Sequence, residues 1–274
     1  MDTTVDYGKE KRNDPRSAEE LIRLALTETD DDAAREPVTV LHYKGTRDVL
    51  DAAAGLCFSS VERERELGAD ILGQLGVPDR TFPSESFDIL TRMLRTESAP
   101  TVLESIGVAL GHLRDIRAVP LLLPLASHPD ADVRFGVVIG LTGHDNPDAI
   151  AGLIQLSRDE DAHVRDWATF ALGTQTDADT PEIRDALFAR TIDLDDDTRG
   201  EALVGLARRK DSRVVEPLIR ELSGGCFGPL AVEAAEQIGD PRLYSTLKAL
   251  EHVWPADSPD EQLLADALAS CSPR

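Results

Sequence analysis

Apolar residues along this chain fall in helix-sized stretches at three- and four-residue intervals, and each stretch closes on Leu or Ile followed by a small residue. The marks are Leu72-Gly73, Leu110-Gly111, Leu141-Thr142, Leu172-Gly173, Leu206-Ala207, Ile238-Gly239 and Leu268-Ala269. Subtracting successive positions gives steps of 38, 31, 31, 34, 32 and 30 residues. A period of this size belongs to stacked repeat arrays, in which each unit buries its apolar face only against its neighbours. No alternating apolar–polar run long enough for a sheet lies between the marks, so the chain reads as all-α.

Each repeat reads as a helix A, a short acidic turn and a helix B, followed by Gly or Asp with Pro nearby. Helix A is expected over 47–57, 85–95, 118–127, 147–157, 181–191, 213–222 and 241–253. Helix B is expected over 61–75, 100–113, 132–141, 163–172, 197–208, 229–238 and 260–270. Prolines stand at or near the starts of these segments, where the missing N–H costs nothing. Residues 1–14 are polar and read as a disordered N-terminal tail. Residues 15–46 read as N-terminal capping helices, opened by Pro15 and Ser17 and interrupted by the acidic stretch 28–32 ahead of an apolar piece at 38–43. Thr46 is the expected N-cap of the array, which runs over 47–274.

Aligned on their terminal Leu or Ile, the helix B segments share a second column seven residues earlier: Arg65, Leu103, Arg134, Arg165, Arg199, Ala231 and Glu261. Val133 and Val164 precede it in the central repeats, behind the acidic clusters HPDADVR at 128–134 and DEDAHVR at 159–165. This pattern resembles the HEAT repeat, and the steps near 30 resemble most the short HEAT-like units of phycobilin lyases, over about residues 47–270. Neither the T-P-L-H-x-A ankyrin turn nor the W-x-x-L-G-x-x-Y tetratricopeptide pattern is present. The resemblance implies a right-handed α-solenoid, or superhelix, of about seven HEAT-like hairpins. Leu103, Ala231 and Glu261 depart from the Arg column and mark degenerate, cap-like units. The resemblance also implies a charged ladder between stacked turns, with Arg134, Arg165 and Arg199 facing Asp130, Asp132, Asp161 and Asp197.

Composition adds one strong outlier: 51 acidic against 29 basic residues give a formal net charge of −22. Such a chain repels phosphate backbones and anionic membrane surfaces, which argues against nucleic-acid or membrane partners; the acid either keeps a long, exposed array soluble or attracts a basic protein partner. Aromatics are only 4%, in keeping with helix pairs packed through Leu, Ala, Val and Ile. Cys57, Cys226 and Cys271 lie far apart with no C-x-x-C spacing, which suits a reducing, cytoplasmic setting. The opening MDTTVDYGKEKRND lacks the apolar core of a secretory signal, and the longest apolar run, 118–126, contains Pro120 and Pro124.

The sequence offers little chemistry. His42, His112, His128, His144, His163 and His252 fall in no zinc-ligand spacing. The alignment sets His128 beside Asp159 and Asp132 beside His163 on neighbouring turns, and imidazoles paired with acids are expected there rather than a metal. No phosphate-binding glycine loop and no G-x-S-x-G elbow occurs, so no catalytic residue and no cofactor is expected.

The helix B row is the candidate surface, since such helices line the concave side of HEAT arrays. Positions one and five after the Arg column share a face and read Glu66 and Asp70, Glu104 and Val108, Phe135 and Ile139, Asp166 and Phe170, Gly200 and Val204. With Trp167 alongside, Glu66, Asp70, Glu104, Phe135, Ile139, Asp166, Trp167 and Phe170 form an expected partner-binding face that starts acidic and turns apolar. Packing between repeats is the competing role for Phe135, Ile139 and Phe170. The expected function is a non-enzymatic scaffold or adaptor that holds a protein partner on its concave face. The resemblance adds a subunit of a phycobilin-lyase-like enzyme, and the charge adds an acidic inhibitor or immunity protein against a basic protein. A HEAT-like DNA-repair glycosylase would need a basic groove and is disfavoured by the charge.

Overall fold

A computed structural model describes residues 3–28, 30–224, 228–254 and 261–273. Cys226 and Asp260 lie outside them. Among the described residues there are helices and no strands. The chain divides into two compact units, residues 1–141 and 142–274.

The first unit carries α1 (Thr3–Arg12), α2 (Ala18–Thr27), α3 (Asp31–Lys44), α4 (Arg47–Leu56), α5 (Glu62–Gln74), α6 (Pro83–Leu94), α7 (Pro100–Leu113), α8 (Val119–Leu122) and α9 (Ala131–Leu141). The second carries α10 (Pro147–Leu156), α11 (Ala162–Thr174), α12 (Pro181–Arg190), α13 (Asp196–Arg208), α14 (Val215–Ser223), α15 (Pro229–Ile238), α16 (Tyr244–Leu250) and α17 (Glu261–Ser270). Helices A and B alternate as expected. The B helices stack side by side, α5 on α7 on α9 in the first unit and α11 on α13 on α15 on α17 in the second.

Local sequence explains where these helices start. Ser17, Asn146, Asp161, Thr180 and Asp195 accept backbone N–H groups at the N-termini of α2, α10, α11, α12 and α13, filling donors a helix start leaves open. Thr46 occupies the N-cap position of α4 but makes no such bond. Proline opens α6, α7, α10, α12 and α15.

Three differences from the sequence reading have physical causes. The segment 118–127 is not one helix: a 3-10 turn (Ile116–Ala118), the four-residue α8 and a second 3-10 segment (Leu123–Ser127) divide it, because Pro120 and Pro124 each remove a backbone donor. The apolar piece at 38–43 lies inside α3, which continues through Pro37. The tail read as disordered contains α1, which packs on α3. It lacks an apolar stripe; Lys11 reaches Glu36 at 3.1 Å, and Arg16 joins the same carboxylate at 2.8 Å.

Small residues let the B helices approach closely. A Cβ at Gly107 would sit 2.6 Å from the Gly136 backbone, and one at Gly136 would sit 2.7 Å from the Glu104 carbonyl. The same intimacy joins Gly73 to Ala109 and Gly173 to Gly205.

The Arg column forms rungs. In each, the guanidinium donates to the carbonyl six residues earlier: Arg65 to Ser59 at 3.1 Å, Arg134 to His128 at 2.8 Å, Arg165 to Asp159 at 2.8 Å and Arg199 to Asp193 at 2.9 Å. Arg65, Arg165 and Arg199 also reach forward to an acid at or just after the end of the following helix A: Glu97 at 2.7 Å, Asp193 at 2.9 Å and Glu221 at 3.1 Å. The aspartates expected opposite them do other work. Asp161 caps α11, Asp130 accepts the Asp132 N–H at 2.9 Å, and Asp132 and Asp197 are exposed. A second series of arginines lies at the helix A starts, in the Asp-x-Arg pairs Asp14/Arg16, Asp115/Arg117, Asp211/Arg213 and Asp240/Arg242. Two of them cover an aromatic ring of the preceding helix A: Arg117 over Phe87 at 4.2 Å and Arg213 over Phe188 at 5.1 Å.

Candidate functional site

In the first unit, α3, α5 and α7 enclose a cavity of about 700 Å³, the size of a small-ligand site. Three residues of the expected face, Glu66, Asp70 and Glu104, line it, joined by His42 and His112. Successive turns of α5 and α7 present these groups, while α3 brings His42 from the side. Its base is pinned by the loop after α5: the His42 carbonyl accepts the Gly76 N–H at 2.7 Å and the Val77 N–H at 3.3 Å. Gly76 has φ +79°, and a Cβ there would meet the Thr81 nitrogen at 2.5 Å, so the loop requires glycine.

His42 is 9% exposed, and its Nε2 has no hydrogen-bond partner; the Asp70 carboxylate stands 3.6 Å away, beyond bonding reach. Burial holds the His42 imidazole below its ordinary range, with Asp70 opposing. His112 is lowered by burial and then by Arg80. Both rings are therefore neutral acceptors at neutral pH. Glu104 is pushed up by burial and by Asp132 and Glu66. Arg63 donates to Glu66 at 2.9 Å. Phe135 and Ile139, on α9, are half-buried and do not line this cavity.

In the second unit, Asp166, Trp167 and Phe170 come together on α11. The Trp167 ring stands edge-on between His163 at 6.2 Å and Phe170 at 5.7 Å, and Trp167 is 36% exposed. Beside Phe170, a groove of about 350 Å³ between α11, α13 and α15 is lined by Glu201, Val204, Leu230 and Glu233. Asp166 Oδ1 and Glu201 Oε2 are buried atoms without hydrogen-bond partners. Burial, then Asp197 and Asp195, push Asp166 up to about 6. Burial, then Asp166 and Glu233, push Glu201 up to about 7. Phe170 is half-buried, so it belongs partly to the packing between repeats and partly to this face.

Sequence reasoning missed Glu201 and Glu233, although they occupy the second position after the Arg column, as Trp167 does; that column was the available signal. It also missed that His42 and His112 line the same cavity as Asp70. No spacing rule links α3 to α5 and α7. Among the described residues, no group of three or more His, Cys, Asp or Glu side chains is placed to hold a metal, and no helix is long and apolar enough to cross a membrane.

Comparison with known proteins agrees on architecture. The family model for HEAT repeats matches residues 88–173. Protein YibA of Escherichia coli (strain K12) is 28% identical over 260 residues, covering 89% of both chains. The X-ray structure of Escherichia coli YibA superposes with a TM-score of 0.73 at 23% identity, covering 99% of this chain and 97% of that one. The condensin Cnd3–Cnd2 subcomplex of S. pombe follows at 0.57 and 18% identity, covering 90% of this chain and 36% of that one. The CpcE–CpcF complex of phycocyanin lyase from Nostoc sp. PCC7120 reaches 0.48 at 19% identity, covering 94% of this chain and 96% of that one. Residues 88–173 are thus HEAT repeats, and the helical hairpins before and after them carry the same all-α repeat fold.

Proposed function

We propose that this chain is a non-enzymatic scaffold whose second unit docks a basic, amphipathic segment of a protein partner on the helix B face around Trp167. One observation carries this reading: Asp166 and Glu201 hold buried carboxylate oxygens without hydrogen-bond partners, beside an exposed aromatic and a groove in which Phe170, Val204 and Leu230 stand among Glu201, Glu233 and Arg208. An unpaired buried carboxylate is costly, and an incoming Lys or Arg would relieve that cost while the partner's apolar side covers the ring. The net charge of −22 would add long-range attraction and so favours, as a narrower form, an inhibitor that neutralises a basic protein.

A labelled amphipathic Lys/Leu peptide and its Glu/Leu counterpart, followed by fluorescence anisotropy, test this. The lysine peptide should bind, weaken with added salt, and lose about tenfold in affinity with Trp167→Ala or Glu201→Gln while circular dichroism stays unchanged. Equal binding of both peptides, or indifference to both substitutions, would sink the proposal.

A further inference from the structure

The first-unit cavity carries a separate reading. Its polar groups form two tiers on facing helices. Glu66 and Glu104 make one tier, Asp70 with His42 makes the next, and His112 stands one turn further along α7. Glu66 and Asp70 lie one helical turn apart, about 6 Å along α5. Val38, Leu67 and Val108 supply apolar wall. The gap of 3.6 Å between His42 Nε2 and Asp70 Oδ1 is too long for a hydrogen bond, which leaves Nε2 without a partner.

We infer that this cavity binds a linear aliphatic amine, with its primary ammonium seated between Asp70 and His42. An ammonium brings three N–H donors, of which one satisfies the Asp70 carboxylate and one the orphaned His42 Nε2. The methylenes lie along the apolar wall. A second ammonium, one turn away, falls beside Glu66 and Glu104, so a short unbranched diamine engages both tiers. Three carboxylates and two arginines, Arg35 and Arg63, line the cavity, and Arg63 is held by Glu66. The lining residues thus leave one net negative charge, with Arg80 outside them but close enough to act on His42 and His112. The same chemistry is offered by a free diamine and by the lysine side chain of a protein.

Isothermal titration calorimetry of the full chain distinguishes these sources, with putrescine, the uncharged isostere butanediol, and acetyl-lysine methylamide as probes. Putrescine should give a saturable isotherm and butanediol none. Asp70→Asn should weaken putrescine about tenfold, as loss of a charge-assisted bond does. Glu104→Gln should weaken putrescine with less effect on acetyl-lysine methylamide, and it carries the test if Asp70→Asn does not fold. Tighter binding of the lysine derivative than of putrescine assigns the ammonium to a protein side chain and sustains the inference. Heats of dilution alone for both amines, butanediol binding as well as putrescine, or unchanged affinity in a folded Asp70→Asn chain would overturn it. Trp167→Ala should leave these isotherms unchanged, which separates this site from the face on the second unit.

Discussion

At the scale of single residues, Arg209 has the most concentrated role. Its guanidinium donates to the carbonyls of Leu172 and Gly173 at 2.8 Å, Gly205 and Ala178 at 3.0 Å, and Thr176 at 3.3 Å. It thereby gathers the carbonyls at the end of α11 and the loop beyond, which would otherwise go unbonded in a buried position. Arg209→Ala should cost about 3 kcal/mol in urea unfolding, and Arg209→Lys should recover little, because a point charge cannot replace a fork of donors. Trp167→Ala, by contrast, removes a ring that is 36% exposed and should shift stability by no more than about 1 kcal/mol. That contrast separates residues that hold the fold from those free to serve a partner.

At the scale of elements, helix stacking depends on bare backbone. Gly107→Ala places a methyl 2.6 Å from the Gly136 backbone, so α7 and α9 must separate; a loss of about 2 kcal/mol is expected in chemical denaturation. The rungs are the second device. Arg165→Ala would leave the Asp193 carboxylate, whose side chain is 6% exposed, with Arg190 as its remaining cation at 3.1 Å, and should cost about 2 kcal/mol; the Arg165→Ala/Asp193→Ala pair should regain part of it in a double-mutant cycle. Much of this was legible beforehand, because terminal Leu-Gly and the Arg seven residues earlier repeat at a fixed offset. The rung acids were not: Glu97, Asp193 and Glu221 stand at no constant distance from their arginines, and which acid arrives depends on the length of the intervening helix A. The cavity was half legible. Glu66, Asp70 and Glu104 follow the helix B period, whereas His42 comes from an element outside the repeat.

At the scale of the whole molecule, the carboxylates split into two populations with opposite pH behaviour. Asp166 and Glu201 are raised to about 6 and about 7, so the folded chain binds protons more tightly than the unfolded one, and stability rises as pH falls from about 7 towards 4. Asp14, lowered to about 2 by Arg16, and Asp193, lowered by Arg165, contribute stability that is lost as pH drops below about 4. A maximum between about pH 4 and pH 5 is expected in thermal melts. The double substitution Asp166→Asn/Glu201→Gln should raise the melting temperature at pH ~7.5 and flatten the acid-side rise. Both tryptophans, Trp167 and Trp254, lie in the second unit, so fluorescence follows that half of the chain alone.

The rungs also bear on how such a chain changes its length. Asp193 offers its carboxylate to Arg165 and its carbonyl to Arg199, so it belongs to two rungs at once. The α12–α13 hairpin thus brings one acid and one fork and joins the hairpins before and after it by the same kind of bond. A tandem duplication of residues 176–209, which carries Arg209 with it, would present each new arginine of the rung with an acid and each new acid with an arginine. Lengthening by whole hairpins leaves no bond in this series open, and the number of repeats becomes a quantity that ordinary gene duplication can adjust without redesigning the joint.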